Sequence, residues 1–382
     1  MPRTIVDIYV IQTVPPSNLN RDDTGSPKTA VYGGKRRARV SSQAWKRATR
    51  DAFGDILDRD DLGVRSKRVV ELIGEQITAQ NPALKPRADE LAAAVLKAAG
   101  IKTAPPRKAK GDEEVPAESG YLIFFSRHEI ARLAELAVAA AHEAGEGELN
   151  IDGREARKRA DQEHSVDVAL FGRMVAEVTE LNVDAAAQVA HALSVHAVDN
   201  EYDYFTAIDD QKQSHEEEDA GAGMIGTVEF NSSTLYRYAT VDVDRLHDNL
   251  GQADATRRAV EAFVRSFICS MPTGKQNTFA NRTLPDAVLV VVRETQSINF
   301  VGAFEDAVTE DANEGRVAKS IRLLAQYGKE LYEAYDEHPV ASWWVGVGER
   351  AEGLAQIADR ATLDGAVSAL GALVDERLSS PS

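Results

Sequence analysis

The chain has one cysteine, Cys269, among its 382 residues, which excludes an intrachain disulfide and any CxxC pair for a metal or a redox couple. It falls within an apolar helical pattern, so a buried structural thiol in a reducing cytosol is expected. No apolar run approaches the length of a membrane-spanning helix, and no membrane partner is expected. Residues 4–11 are few, are interrupted by Asp7, and read as a strand, not a secretory leader. The eight histidines show no HExxH or similar ligand spacing, and neither GxxxxGK[ST] nor GxSxG occurs, so no metal, cofactor or nucleophile elbow is indicated.

Acidic charge dominates, with a formal net charge of −17, yet residues 28–50 hold eight basic residues and no acidic one. Such a segment attracts a polyanion that the rest of the chain repels. Within it, Gly33 and Gly34 permit a tight turn and a close backbone approach to a ligand, and Lys35, Arg36, Arg37 and Arg39 follow at once. Ser41 or Ser42 is a favourable N-cap for a helix over residues 43–53, with Ala44, Ala48 and Phe53, or Trp45 and Thr49, toward the interior. Its first turn has no Asp or Glu, which leaves free N–H groups and the positive dipole end for a phosphate, beside Lys46 and Arg50 one turn apart. The unit reads as a cradle for a phosphate backbone.

SNLNRDD at 17–23 and VYGGKRRARVSSQAWKRA at 31–48 closely resemble the N-terminal block of the CasC family, RAMP-superfamily backbone subunits of the type I-E CRISPR Cascade complex. Similar blocks follow in family order: VALFGRM (168–174), AQVAHALSVHAV (187–198), DYFTAIDD (203–210), GTVEF (226–230), LYRYA (235–239), GKQNTFA (274–280) and AFEDAV (303–308). The resemblance implies a non-catalytic, cytoplasmic, cofactor-free subunit that polymerises along CRISPR RNA and presents it to target DNA. Its expected partners are further copies of itself, the large and small subunits, the 5′-handle-binding subunit and the 3′-hairpin endoribonuclease. The RNA contacts it implies, together with the cradle, are Asn20, Arg21, Lys28, Lys35, Arg36, Arg37, Arg39, Ser41, Gln43, Lys46, Arg47, Arg50, Arg173, Met174, Lys275 and Gln276. Arg154, Arg157, Lys158 and Arg159 fall where relatives place DNA-contacting lysines, and Met224 and Ile225 are candidates for an apolar wedge between stacked bases.

Patterning organises the chain in the same way. Residues 64–79, 85–99, 126–144 and 180–194 have apolar residues at helical spacing and make 55–194 a helical insertion, crossed by a Pro- and charge-rich linker at 104–116. Beyond it the period changes to two over 227–230 and 235–243, and residues 286–293 form an apolar run suited to a central strand. Helices near 253–270 and 316–335 are expected to cover one face. The expected class is α+β, with an RRM-like (ferredoxin-like) antiparallel palm from 1–54 and 195–382. The resemblance adds the names fingers for 55–194 and thumb for a long β-hairpin at about 200–226.

Two other readings stand beside this one. Asp22 and Asp23, next to the cations, could hold a divalent metal and activate water against a phosphodiester, as in RNA-cleaving RAMP subunits. Alternatively the chain is a purely structural scaffold whose cations meet acidic proteins.

Overall fold

The structure, a computed structural model, describes residues 3–106, 115–145, 147–207, 224–310 and 314–379. The chain opens with strand β1 (Ile5–Ser17), the hairpin of β2 (Thr29–Tyr32) and β3 (Lys35–Val40), and helix α1 (Ser42–Phe53). Next come β4 (Gly63–Ser66), α2 (Val69–Gln80), α3 (Ala88–Ala98), the two-residue strands β5 (Thr103–Ala104) and β6 (Glu118–Ser119), β7 (Ile123–Ser126), α4 (Arg127–Ala144), α5 (Gly153–Arg159) and α6 (Val166–Phe171). After these the strands are β8 (Ala187–Val189), β9 (Ala192–Ser194), β10 (Glu201–Ala207) and β11 (Met224–Asp242). Helices α7 (Val243–Leu250), α8 (Ala253–Cys269) and α9 (Gln276–Phe279) lead to β12 (Ala287–Arg293), and α10 (Arg316–Tyr335), β13 (Ala341–Gly346), β14 (Asp359–Arg360) and α11 (Leu363–Ser379) complete the chain.

A ten-stranded sheet organises the molecule in the order β14-β13-β12-β1-β11-β9-β3-β2, with β8 and β10 also paired to β11. Every pairing is antiparallel except β13 with β14, so the sheet is mixed. Its centre is the apolar pair β1 and β12, and the period of two sends their side chains to opposite faces. Ile8, Val10, Val288 and Val290 pack against Phe263 and Phe267 of α8, Leu370 of α11 and Trp45 of α1. Tyr9, Ile11, Leu289 and Val291 pack against Phe300, Phe304, and Ile321 and Leu324 of α10. Helices α8 and α10, expected on one face, therefore cover opposite faces. Pro15 and Pro16 cannot donate to a ladder, and the pairing of β1 with β11 shifts register between Val14 and Ser17.

Residues 63–181 enclose a core of their own, where Ile73, Leu91, Leu133 and Phe125 meet. Helix α4 begins with a capping box: Ser126 Oγ accepts from Glu129 N and Glu129 Oε2 accepts from Ser126 N. The helix expected at 180–194 is instead a short 3₁₀ turn (Thr179–Leu181) followed by β8 and β9. Ala187, Val189, Ala192 and Ser194 satisfy a period of two as well as a helical one, and pairing with β11 decides between them. The helix expected from 64 starts at Val69, because residues 63–66 pair with β7. The hairpin expected near 200–226 has arms in β10 and the start of β11, in register from Glu201↔Phe230 to Ala207↔Met224. Its centre, 208–223, and the middle of the 104–116 linker, 107–114, lie outside the described residues.

Candidate nucleic-acid interface

The basic run divides by secondary structure. Gly33 and Gly34 both have positive φ, +56° and +69°, and form the two-residue turn between β2 and β3. A side chain on Gly33 would overlap the Glu305 carbonyl oxygen, so the close approach this glycine permits is to the chain itself, not to a ligand. Lys35 and Arg36 are exposed. Arg37, expected on phosphate, is instead fully buried and donates to the carbonyls of Ser194, Phe304 and Glu305, each at 3.0 Å. It lashes the hairpin to residues 304–305. Arg39 is half-buried, its Nε donating to Thr29 O at 3.3 Å.

Helix α1 buries Trp45, Thr49 and Phe53 and turns Gln43 and Arg47 outward. Trp45 is fixed from below by the buried Arg237 guanidinium, 3.7 Å from its ring centroid, whose pKa burial lowers to about 9. Ser41 is the N-cap, its Oγ accepting from Gln43 N at 3.3 Å. The free first-turn N–H groups expected there are already engaged. Ser42 N donates to His191 Nδ1, and Ala44 N and Trp45 N both donate to Ser41 O. What remains for an anion is the dipole, uncompensated by any first-turn carboxylate. Burial, then Arg39 and Lys28, push the His191 pKa down, which keeps its ring an acceptor for Ser42.

Two clefts meet on this helix. The larger, about 890 Å³, is lined by Gln43, Lys46, Arg47, Arg50, Phe171 and Met174 among others; the second, about 590 Å³, by Asn20, Lys28, Ser41, Gln43, Arg47 and Gly274 among others. Gln43 and Arg47 belong to both, so one polar track runs from the 17–28 loop along α1 to Met174, which is 83% exposed. Lys46 is half-buried over the Phe171 ring at 5.9 Å, and burial lowers its pKa. Arg50 lies 3.6 Å from Asp167 and 5.0 Å above the Phe124 ring; Arg47 lies 3.6 Å from Asp51.

Arg173 lines this cleft but does not open into it. It is buried and donates to Glu129 and Asp161, each at 2.9 Å, and to the carbonyls of Leu181, Ala160 and Phe124. Its expected RNA contact is replaced by a structural clamp that leaves the next residue, Met174, standing in solvent. Asn20 Oδ1 accepts from Ser41 N, tying the 17–28 loop to α1, and Arg21 bridges to Pro27 within that loop. Gly274 lies against the Leu19 carbonyl, which sets Lys275, half-buried, and Gln276, exposed, at the loop's edge. Arg154 and Lys158 on α5 are exposed; Arg157 pairs with Glu180 and Arg159 with Glu155, each at 2.9 Å. Met224 and Ile225 open β11 opposite Ala207 and Thr206.

Asp22 accepts from Thr24 N, Thr24 Oγ1 and Ser26 N at 2.7–3.0 Å. These bonds, the Thr24 hydroxyl foremost, hold its carboxyl below the usual range. Among the described residues no group of three or more His, Cys, Asp or Glu is placed to hold a metal ion, and no helix is long and apolar enough to cross a membrane. Two residues of the larger cleft, Arg65 and Leu122, have no signal in the sequence: Arg65 lies in, and Leu122 immediately before, a pairing of two strands far apart in the chain.

Comparison with known proteins gives a consistent result. The family model described as CT1975-like protein matches residues 6–372. No curated protein matches the chain. A chain of a solved structure described as "CRISPR RNA-guided surveillance complex, pre-nicking" is 35% identical, with 97% of this chain and 99% of that one covered and a TM-score of 0.83. Another, described as "CRISPR RNA-guided surveillance complex", is 30% identical over the same shares, with a TM-score of 0.71.

Proposed function

Because the chain belongs to the CT1975-like protein family, we propose that it is the guide-holding backbone subunit of a cytoplasmic CRISPR RNA-guided surveillance complex of the type I-E Cascade kind. The observation that carries this reading is the track along α1, where Gln43, Lys46, Arg47 and Lys28 line two joined clefts that end at the exposed Met174. Cations, a helix dipole and polar side chains hold ribose-phosphate without reading bases, so any guide can be loaded. Target choice then falls to pairing between guide and DNA. Copies stack head to tail along one guide, a heterologous interface that makes an open helix closed off by capping subunits. In this reading the sheet is an RRM-like palm, residues 55–194 are fingers whose exposed Arg154 and Lys158 face target DNA, and the β10–β11 hairpin is a thumb over the guide.

The subunit acts without catalysis in this proposal. Asp22 supports that role because its Oδ1 already accepts three bonds from the turn that shapes its own loop. The test is binding of two single-stranded RNAs of unrelated sequence by the full chain. Lys46→Ala with Arg47→Ala should weaken both equally and flatten the salt slope by ~0.7 per lost phosphate contact. Sequence-selective loss, or assembly with partner subunits that survives nuclease digestion unchanged, contradicts it. RNA cleavage that needs a divalent metal and disappears in Asp22→Ala or Asp23→Ala would establish the catalytic alternative instead.

A further inference from the structure

The larger cleft is lined by α1, by residues 171–174 and 182–185, and by a further wall around β4 and β7. Strands β4 and β7 pair antiparallel with Arg65 opposite Phe124. Directly opposed residues share a face, so Arg65 and Phe124 point to the same side of this ribbon, and Leu122 immediately precedes β7. All three line the cleft, facing Lys46 and Arg50 of α1. The gap between the walls is fixed by buried Asp167, which accepts from Gly63 N at the start of β4 at 2.8 Å, accepts from Ser165 Oγ at 2.7 Å, and lies 3.6 Å from Arg50. Arg50 completes the span by resting on the Phe124 ring.

The charges of the cleft are unevenly matched. Its two exposed-side carboxylates, Asp51 and Asp184, pair with Arg47 at 3.6 Å and with Arg245 at 2.8 Å. Arg50 has Asp167, and Arg173 has Glu129 and Asp161. Lys46 and Arg65, one on each wall, remain as cations with no acidic partner among the described residues. Lys46 has also lost part of its hydration without a compensating anion, as its lowered pKa reflects. Beside them two apolar side chains stand in solvent, Leu122 at 51% and Met174 at 83% exposure. Unpaired cations on both sides and uncovered apolar groups between suit a ligand whose anionic edge carries apolar planar groups.

Resting on the guide-binding reading above, we propose that Arg65 and Leu122 form the second wall of the guide's seat. Arg65 takes a phosphate across the cleft from Lys46, and Leu122 with Met174 covers the face of a base. The strand is thereby gripped from both structural units, and α1 does not hold it alone. Both residues are exposed, so their replacement leaves the fold intact.

The test uses the full chain and two fluorescein-labelled single-stranded RNAs of unrelated sequence, with anisotropy read across a salt series. Arg65→Ala should weaken both RNAs by about fivefold and reduce the salt slope by ~0.7, while Arg65→Lys keeps the slope. Leu122→Ser should weaken binding severalfold with the slope unchanged. If Lys46→Ala lowers affinity and slope but Arg65→Ala changes neither, the second wall is refuted while the guide-binding reading stands. If neither variant alters binding, the guide-binding reading itself fails and takes this one with it.

Discussion

Arg173→Ala should cost stability before it costs RNA binding. The guanidinium donates to Glu129, whose side chain is fully buried, and to Asp161, whose side chain is 37% exposed. Removing it leaves the Glu129 carboxylate, among the described residues, with Ser126 N at 2.7 Å and His164 Nδ1 at 3.0 Å. Breaking a buried pair by deleting one partner costs about 3–5 kcal/mol. The partly exposed Asp161 contact adds no more than about 1 kcal/mol. A loss of about 4 kcal/mol is a large fraction of the stability of a typical domain. Urea denaturation followed by circular dichroism reads it as a lower midpoint. The double replacement Arg173→Met with Glu129→Gln, which removes both charges, should recover the part of the loss due to the uncompensated carboxylate, while the carbonyls of Leu181, Ala160 and Phe124 still lack their donor. Should Arg173→Ala unfold within about 1 kcal/mol of the parent and yet lose RNA, the clamp described above would be wrong and Arg173 would be reaching the guide.

Arg37→Met leaves three carbonyls without their buried donor and should destabilise by ~3 kcal/mol, whereas Arg36→Ala should stay within ~0.5 kcal/mol and weaken RNA binding; parallel melts and binding curves separate the two. Gly33→Ala should lose more than ~2 kcal/mol, from left-handed φ and overlap with Glu305 O, while Gly34→Ala, with open space around it, should lose only ~1 kcal/mol from φ. Equal losses would show that the hairpin tip does not rest on residue 305. His196 is buried with Nε2 accepting from Thr234 N, and its pKa is lowered to about 4 from 6.5, burial being the main cause. The unfolded chain therefore binds the proton more readily, so stability is intact above pH 6.5 and falls as pH drops toward 4. About 2 kcal/mol should be gone by pH 5, and in His196→Gln that part of the pH dependence should be absent from denaturation midpoints.

Elements whose signal is local were legible in the residues. The helix over 43–53, the strand at β1 and the central strand at β12 were read correctly, and of the two candidate inner faces of α1 the structure buries Trp45, Thr49 and Phe53. Charge was legible but burial was not. Arg37 and Arg173 look like their exposed neighbours in sequence, and only carbonyls or carboxylates brought from distant segments turn them into internal fasteners. The strands at 187–194 and 63–66 were hidden for a related reason: their partners lie far along the chain, and short Ala- or Val-bearing segments tolerate either period. Arg65 depends on such a pairing, and Leu122 stands just before it.

Strand β11 runs 19 residues without a break, so at the usual rise it is about 60 Å long. Its first seven residues belong to the ribbon with β10, and most of the rest ladder with β1 at the centre of the sheet. The projecting arm and the keel of the molecule are thus one continuous beam. The direction in which the ribbon leaves the sheet is therefore set when the core folds.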